Sequence, residues 1–196
     1  MKKTLLFLLI LLTCFTFTWG NEIDNYEELS LLSFQIARTL ENEDFNALAQ
    51  FIDPKIGLYF TDLISISSKF SNHLSYEEVQ NIESETTKRP LFCNDAEPWV
   101  TTVSIYFSSA FAKDLKLLEK ISFNKYYKNP HSSELGYEEK NNLINYFEDS
   151  IFIEFYYRPS GRYGDIDWQS TYFIFKKINN EFKLVGLSRT NSSNYY

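Results

Sequence analysis

The stretch Ile151 to Arg189, IFIEFYYRPSGRYGDIDWQSTYFIFKKINNEFKLVGLSR, decides the fold. It predicts three antiparallel strands. The first run, Ile151 to Arg158, is aromatic and β-branched and stops at Pro159-Ser160-Gly161, a turn cluster that cannot continue a ladder. A loop through Gly164 re-enters at Asp167. The second run, Trp168 to Lys177, meets Asn179-Asn180, two residues that tolerate positive φ, and the third leaves at Phe182, which makes the pair a hairpin. Gly186, in mid-strand, marks a bulge or a close backbone approach. A twisted sheet with an apolar face has to bury it, and the only helical sequence lies upstream, so the N-terminal half is expected to fold back over the meander as an α+β domain.

Working outward, Leu29, Leu32, Ile36 and Leu40 recur at helical steps, with Glu27 and Glu28 in the first turn, where the helix dipole favours anions. Asp24 or Asn25 would cap that helix. After the polar break Glu41-Asn42-Glu43, Asp44 can cap a short second helix striped by Phe45, Leu48 and Ile52 and ended by Asp53-Pro54. Lys55 to Thr61 reads as a strand. Ser75-Tyr76-Glu77-Glu78 has capping-box spacing and predicts a short helix through Val79 and Ile82. Glu83 to Pro98 is expected to be a surface loop. Thr101 to Leu118 fits both periods, and its length favours a helix. Lys120 to Tyr127 predicts a strand, Pro130 to Ser133 a turn, and Tyr137 to Tyr146 a weak helix or irregular link.

At 196 residues, with 44% hydrophobic and 18% aromatic residues, the chain can bury one core and needs no second domain. Residues 1–20 read as a signal peptide: Lys2 and Lys3, an unbroken apolar run from Leu5 to Leu12, then Thr18 and Gly20 before a cut at Asn21. Residues 21–196 would form the single exported domain, periplasmic or secreted. Leu11-Leu12-Thr13-Cys14 offers a second route, because it resembles a lipobox and would make the mature chain a membrane-anchored lipoprotein acylated at Cys14. Nothing in the mature chain is long and apolar enough to predict a transmembrane helix. Loss of Lys2 and Lys3 takes the net charge from −7 to −9, which excludes nucleic acid as a partner. Without the leader Cys93 stands alone, so no intrachain disulfide is expected.

Two tandem helices, then strands, then a long C-terminal meander give an element order that resembles the NTF2-like superfamily. Three segments are also similar to a group of uncharacterised bacterial secreted proteins and lipoproteins. These are Leu40 to Leu48 continued by Asp53 to Phe60, Tyr163-Gly164-Asp165-Ile166-Asp167-Trp168-Gln169-Ser170, and Phe182 to Leu187. That group carries a His where this chain has Asp53, and a Trp-containing tail where it has Asn191 to Tyr196. The resemblance implies an NTF2-like cone, with N-terminal helices packed on a curved antiparallel sheet. NTF2-like enzymes place a carboxylate and a Tyr inside that cone.

The candidate ligand-binding residues are Arg162, Tyr163, Asp165, Asp167 and Trp168 in the loop at the mouth of the meander, with Glu154 and Arg158 on the first strand. Glu154, Tyr156 and Arg158 share one face by period two, and Ile151, Ile153, Phe155 and Tyr157 share the other. Asp167 could serve as acid or base with Tyr157 or Tyr163 as its donor, yet an Asp just before a strand commonly accepts backbone N–H bonds in a turn. Glu154 could line a polar pocket or pair with Lys176, Lys183 or Arg189 on a solvated surface. Arg38 reads as a surface charge. His73 and His131 have no companions at ligand spacing, so neither metal nor cofactor is expected. Three functions fit. The first is a non-catalytic binding module for a small apolar ligand or an extracytoplasmic protein, the second an isomerase or hydrolase built on Asp167, and the third an acidic inhibitor or immunity-type protein.

Overall fold

The computed structural model describes residues 26–61, 72–91, 99–112, 115, 122–128, 147, 149–157 and 169–191, with 122–128, 157, 190 and 191 as backbone alone. The predicted leader (residues 1–20), Cys14, Asp24, Asn25, Cys93, His131 and the stretch Arg158 to Trp168 lie outside the described residues, as does the predicted link Tyr137 to Tyr146.

Helix α1 covers 26–41. Of its predicted stripe, Leu29, Ile36 and Leu40 are closed to solvent, each worth about 1.5–3 kcal/mol, with Ala37 closed beside them and Leu32 half-buried at the edge of the core. Ser33 sits within that face and satisfies its hydroxyl by donating to Leu29 O at 2.6 Å. The helix ends in a Schellman arrangement, Asp44 N donating to Thr39 O at 2.9 Å and Glu43 N to Leu40 O at 3.1 Å. This puts Glu43 at φ +59, a left-handed position that favours glycine, and its carboxylate accepts from Ser108 Oγ at 2.8 Å. Asp44 caps α2 (Phe45–Ala49) by accepting from Ala47 N, as expected. Asp53 then holds a tight turn, its Oδ1 accepting from Lys55 N and Ile56 N.

Strands β1 (Leu58–Thr61) and β2 (Asn72–Leu74) follow, then α3 (Tyr76–Gln80), whose predicted capping box is formed by Ser75 and Glu78. A 3₁₀ turn (Ile82–Ser84) leads to β3 (Arg89–Leu91), β4 (Trp99–Thr101), α4 (Val103–Phe107) and a π-helical turn (Ser108–Ala112). The expected surface loop Glu83 to Pro98 is corrected at Arg89–Leu91, where β3 pairs antiparallel with β4 in a separate two-stranded sheet and Arg89 is bound to Glu78 at 3.0 Å and Glu85 at 3.6 Å; residues 92–98 lie outside the described residues. The helix expected over Thr101 to Leu118 begins at Val103, because Thr102 caps it by accepting from Ile105 N.

Strands β5 (Ser122–Lys128), β6 (Ser150–Tyr157), β7 (Gln169–Ile178) and β8 (Glu181–Asn191) complete a six-stranded sheet in the order β2-β1-β8-β7-β6-β5. The meander is antiparallel as expected, and Asn179 and Asn180 turn it at φ +51 and +68. Among the described strands only β1 joins in parallel, against β8. A bulge falls at the predicted place, with Gly186 opposite Ile174, Leu184 opposite Phe175, and Val185 as the extra residue between them.

Candidate functional site

Period two gives the meander two faces with different contents. On the helix side, Ile153, Phe155, Phe173, Phe175, Leu184 and Leu187 join Phe60, Phe107 and Phe111 in the main core. Their rings meet edge-on or tilted, Phe60 to Phe107 at 5.0 Å, Phe155 to Phe173 at 5.0 Å and Phe107 to Phe111 at 5.4 Å between centroids. Each of these rings has at most 1% of its surface accessible. A chamber against them large enough for an apolar ligand would leave measurable accessible surface, so here the aromatics fill the space themselves.

The opposite face divides in two. Toward Gly186 it is apolar, with Phe147, Phe152, Ile174 and Val185 packed with Ile56 and Tyr59. Toward the end where Tyr157 pairs with Gln169 it turns polar. One rung runs across five strands: Lys125 of β5, described as backbone, opposite Glu154 of β6, Glu154 opposite Tyr172 of β7, Tyr172 opposite Ser188 of β8, and Ser188 opposite Thr61 of β1. Glu154, Tyr172, Ser188 and Thr61 are all buried, Glu154 to 7%. Glu154 Oε1 accepts from Ser170 Oγ at 2.6 Å and from Tyr172 OH at 3.0 Å. A carboxylate withdrawn from water is held in place by such donors, and removing them would leave it at a cost of several kcal/mol.

Glu154 is therefore one of the expected site residues that the structure describes, and its surroundings correct the solvated-surface reading. Lys176 lies on the same face but opposite Ser150, Lys183 pairs with Glu181 at 2.9 Å, and Arg189, opposite Thr171, points to the helix side. Period two foretold the shared face of Glu154 and Tyr156. The burial of that face had no local signature, because it depends on what the rest of the chain lays over it. Tyr157 is described as backbone, in register with Gln169, so the anchors of the candidate loop stand side by side. Arg158, Arg162, Tyr163, Asp165, Asp167 and Trp168 lie outside the described residues. Arg38 is exposed and pairs with Glu41 one turn on, a surface charge as expected. His73 is also exposed. Its Nε2 faces Ile56 O at 2.7 Å, so it must donate there, and its ring lies on Tyr59 at 4.4 Å.

Sequence reasoning missed a second feature. Among the described residues, large apolar side chains are left in solvent on α1, at Leu31 (63%), Phe34 and Tyr26, and on β4 and α4, at Trp99 (43%), Val100 (60%) and Ile105 (50%). Val100 and Ile105 belong to short elements whose outward faces periodicity does not resolve.

No family model matches the chain, and no curated protein does. Among solved structures it is similar to a DUF4783 family protein from Bacteroides fragilis YCH46, at 10% identity over 80% of this chain and 95% of that one, with a TM-score of 0.36. It is likewise similar to a putative calcium/calmodulin dependent protein kinase II association domain from Xanthomonas campestris (11%, 84% and 85%, 0.37). A third similar structure is an NTF2-like protein of unknown function from Pseudomonas putida KT2440 (6%, 84% and 84%, 0.33). Likenesses at these TM-scores carry no argument about this chain. Its α+β architecture, with helices first and the meander last, is the element order expected of an NTF2-like protein and rests on its own topology.

Proposed function

We propose that this protein is an exported, non-catalytic binding module whose ligand is another protein. The observation that carries the reading is that, among the described residues, the core rings on the helix side have at most 1% accessible surface while Trp99, Val100 and Ile105 stay in solvent. An apolar small molecule needs a concave, ring-lined chamber; a protein partner needs apolar surface on the outside. The basic and apolar pattern of residues 1–20 supports export, and the net charge of −7 supports a partner other than a polyanion.

Native mass spectrometry on the chain purified from its host's envelope tests this. The expected spectrum shows a second protein in fixed stoichiometry and a chain starting at Asn21. A stoichiometric small molecule with no protein attached would refute the reading, and an acylated Cys14 at the N-terminus would move the module to a membrane surface.

A further inference from the structure

We propose that the outward face of α1 is self-complementary, and that two copies of this chain pair through it about a two-fold axis with their α1 helices antiparallel. The inference goes beyond the protein-partner reading and does not depend on it. Away from the buried face of Leu29, Ser33, Ile36 and Leu40, the residues Glu27, Leu31, Phe34, Arg38 and Glu41 follow one another at alternating steps of four and three. That spacing lays them in one stripe on a single helix face, as in the seam of paired helices. Leu31 is 63% exposed and Phe34 42%, Glu27 and Arg38 are exposed, and Glu41 is half-buried. The Phe34 ring is seated from beneath, edge-on to the buried Phe155 at 5.6 Å, which limits the freedom it would lose on binding.

The order of the stripe chooses the occupant. Its two apolar residues stand between an acid at Glu27 and a base at Arg38. With a second α1 laid antiparallel about an axis midway between Leu31 and Phe34, Leu31 faces Phe34 of the second copy and Glu27 faces its Arg38. Each pair then occurs twice, as an isologous contact requires. A parallel pairing would set acid on acid and base on base, which disfavours it. Arg38 already donates to Glu41 through Nη1, and its guanidinium carries further N–H groups for a second carboxylate. Glu28 falls outside the stripe. The net charge of −7 opposes self-association, but a Debye length of about 8 Å at physiological salt confines that repulsion, whereas Glu27 and Arg38 would meet at contact. One helix pair buries less than the roughly 1,200–2,000 Å² of a standard interface, so the dimer is expected to be weak, with a Kd on the order of micromolar or above.

Sedimentation equilibrium of the mature chain over a range of concentrations tests this. The mass is expected to rise from one copy towards two, and L31S/F34S should weaken the association at least about tenfold. E27K sets a Lys against Arg38 of the second copy, and R38E sets a Glu against its Glu27, so each variant alone should self-associate about tenfold more weakly than the parent. Mixed in equal amounts, the two variants should associate with each other as the parent does, because every facing pair is then opposite in charge. That rescue separates a contact between copies from any effect of the substitutions on the fold. A parent that stays a single copy at every concentration, a dimer that L31S/F34S leaves intact, or a mixture of E27K and R38E no more associated than either alone overturns the proposal.

Discussion

Gly186→Ala tests the account of the sheet at its most crowded point. A Cβ on Gly186 would stand 3.0 Å from Ile174 Cδ1, 3.1 Å from Phe147 Cζ and 3.4 Å from Ile174 Cβ. The backbone there is ordinary, so the substitution brings no left-handed strain; alone, it would gain roughly 0.5–1 kcal/mol by restricting the unfolded chain. Against this stands overpacking of a buried site, at about 1–3 kcal/mol. Two of the three close contacts are tighter than ordinary van der Waals distance and involve buried side chains, so crowding should win by about 1–2 kcal/mol. For a domain of this size that lowers Tm by about 3–6 °C, read by urea titration and thermal melts together. The nearest atom is the Ile174 δ-methyl, so Ile174→Val should relieve part of the clash. I174V alone costs about 0.5–1.5 kcal/mol, and the double variant should be more stable than the sum of the two losses predicts. A Gly186→Ala chain as stable as the parent, or purely additive behaviour with Ile174→Val, would refute the packing described at the bulge.

Gly57→Ala should be worse than Gly186→Ala, by more than about 2 kcal/mol, because φ is +72 and the new Cβ would lie 2.2 Å from the Leu74 carbonyl oxygen, backbone that cannot step aside; chemical denaturation measures it. Glu154→Gln should cost about 1–3 kcal/mol by weakening the bonds from Ser170 and Tyr172, and an unchanged urea midpoint would show that Glu154 is not held as described. Burial pushes the Glu78 carboxyl up, but the Ser75 N–H and the Arg89 guanidinium outweigh it and hold it below its usual value of 4.5. A lowered folded-state pKa gives stability that is present above the unfolded value and lost as pH falls through the folded one. Glu78→Gln should therefore lower stability at pH 7 and shrink its fall below pH 4.5, which melts across pH 3–7 would show. Ser75→Ala, which removes the other half of that box, should cost about 1 kcal/mol by the same melts.

Local chemistry was legible wherever a residue type answers a local demand. Asn179-Asn180 for a tight hairpin, Ser75 with Glu78 for a cap, Asp44 for another and Gly186 for the bulge all stand where their sequence predicted. Elements of three residues escaped, because Arg89–Leu91 and Asn72–Leu74 are too short to show a period and exist only through their partners. The site was harder still. Glu154 is polar in a strand that alternates, which reads as an outward face, yet tertiary burial made that face a second interior. The exposed Trp99 escaped for the inverse reason, since an aromatic in a three-residue strand, opposite the buried Leu91, gives no local sign of lying in solvent.

The parallel pairing of β1 with β8 bears on how the chain reaches this state. Tyr59, Phe60 and Thr61 find their partners at Gly186, Leu187 and Ser188, near the far end of the sequence, and Ile52 bridges to Leu184 as well. Closing so long a loop costs entropy before any contact repays it, and contacts of this kind slow folding. Until β8 emerges, β1 lacks the strand that joins it to the meander. For a chain we propose to be exported, that delay is useful: the polypeptide can stay unfolded, and threadable through a translocation channel, until β8 has been made.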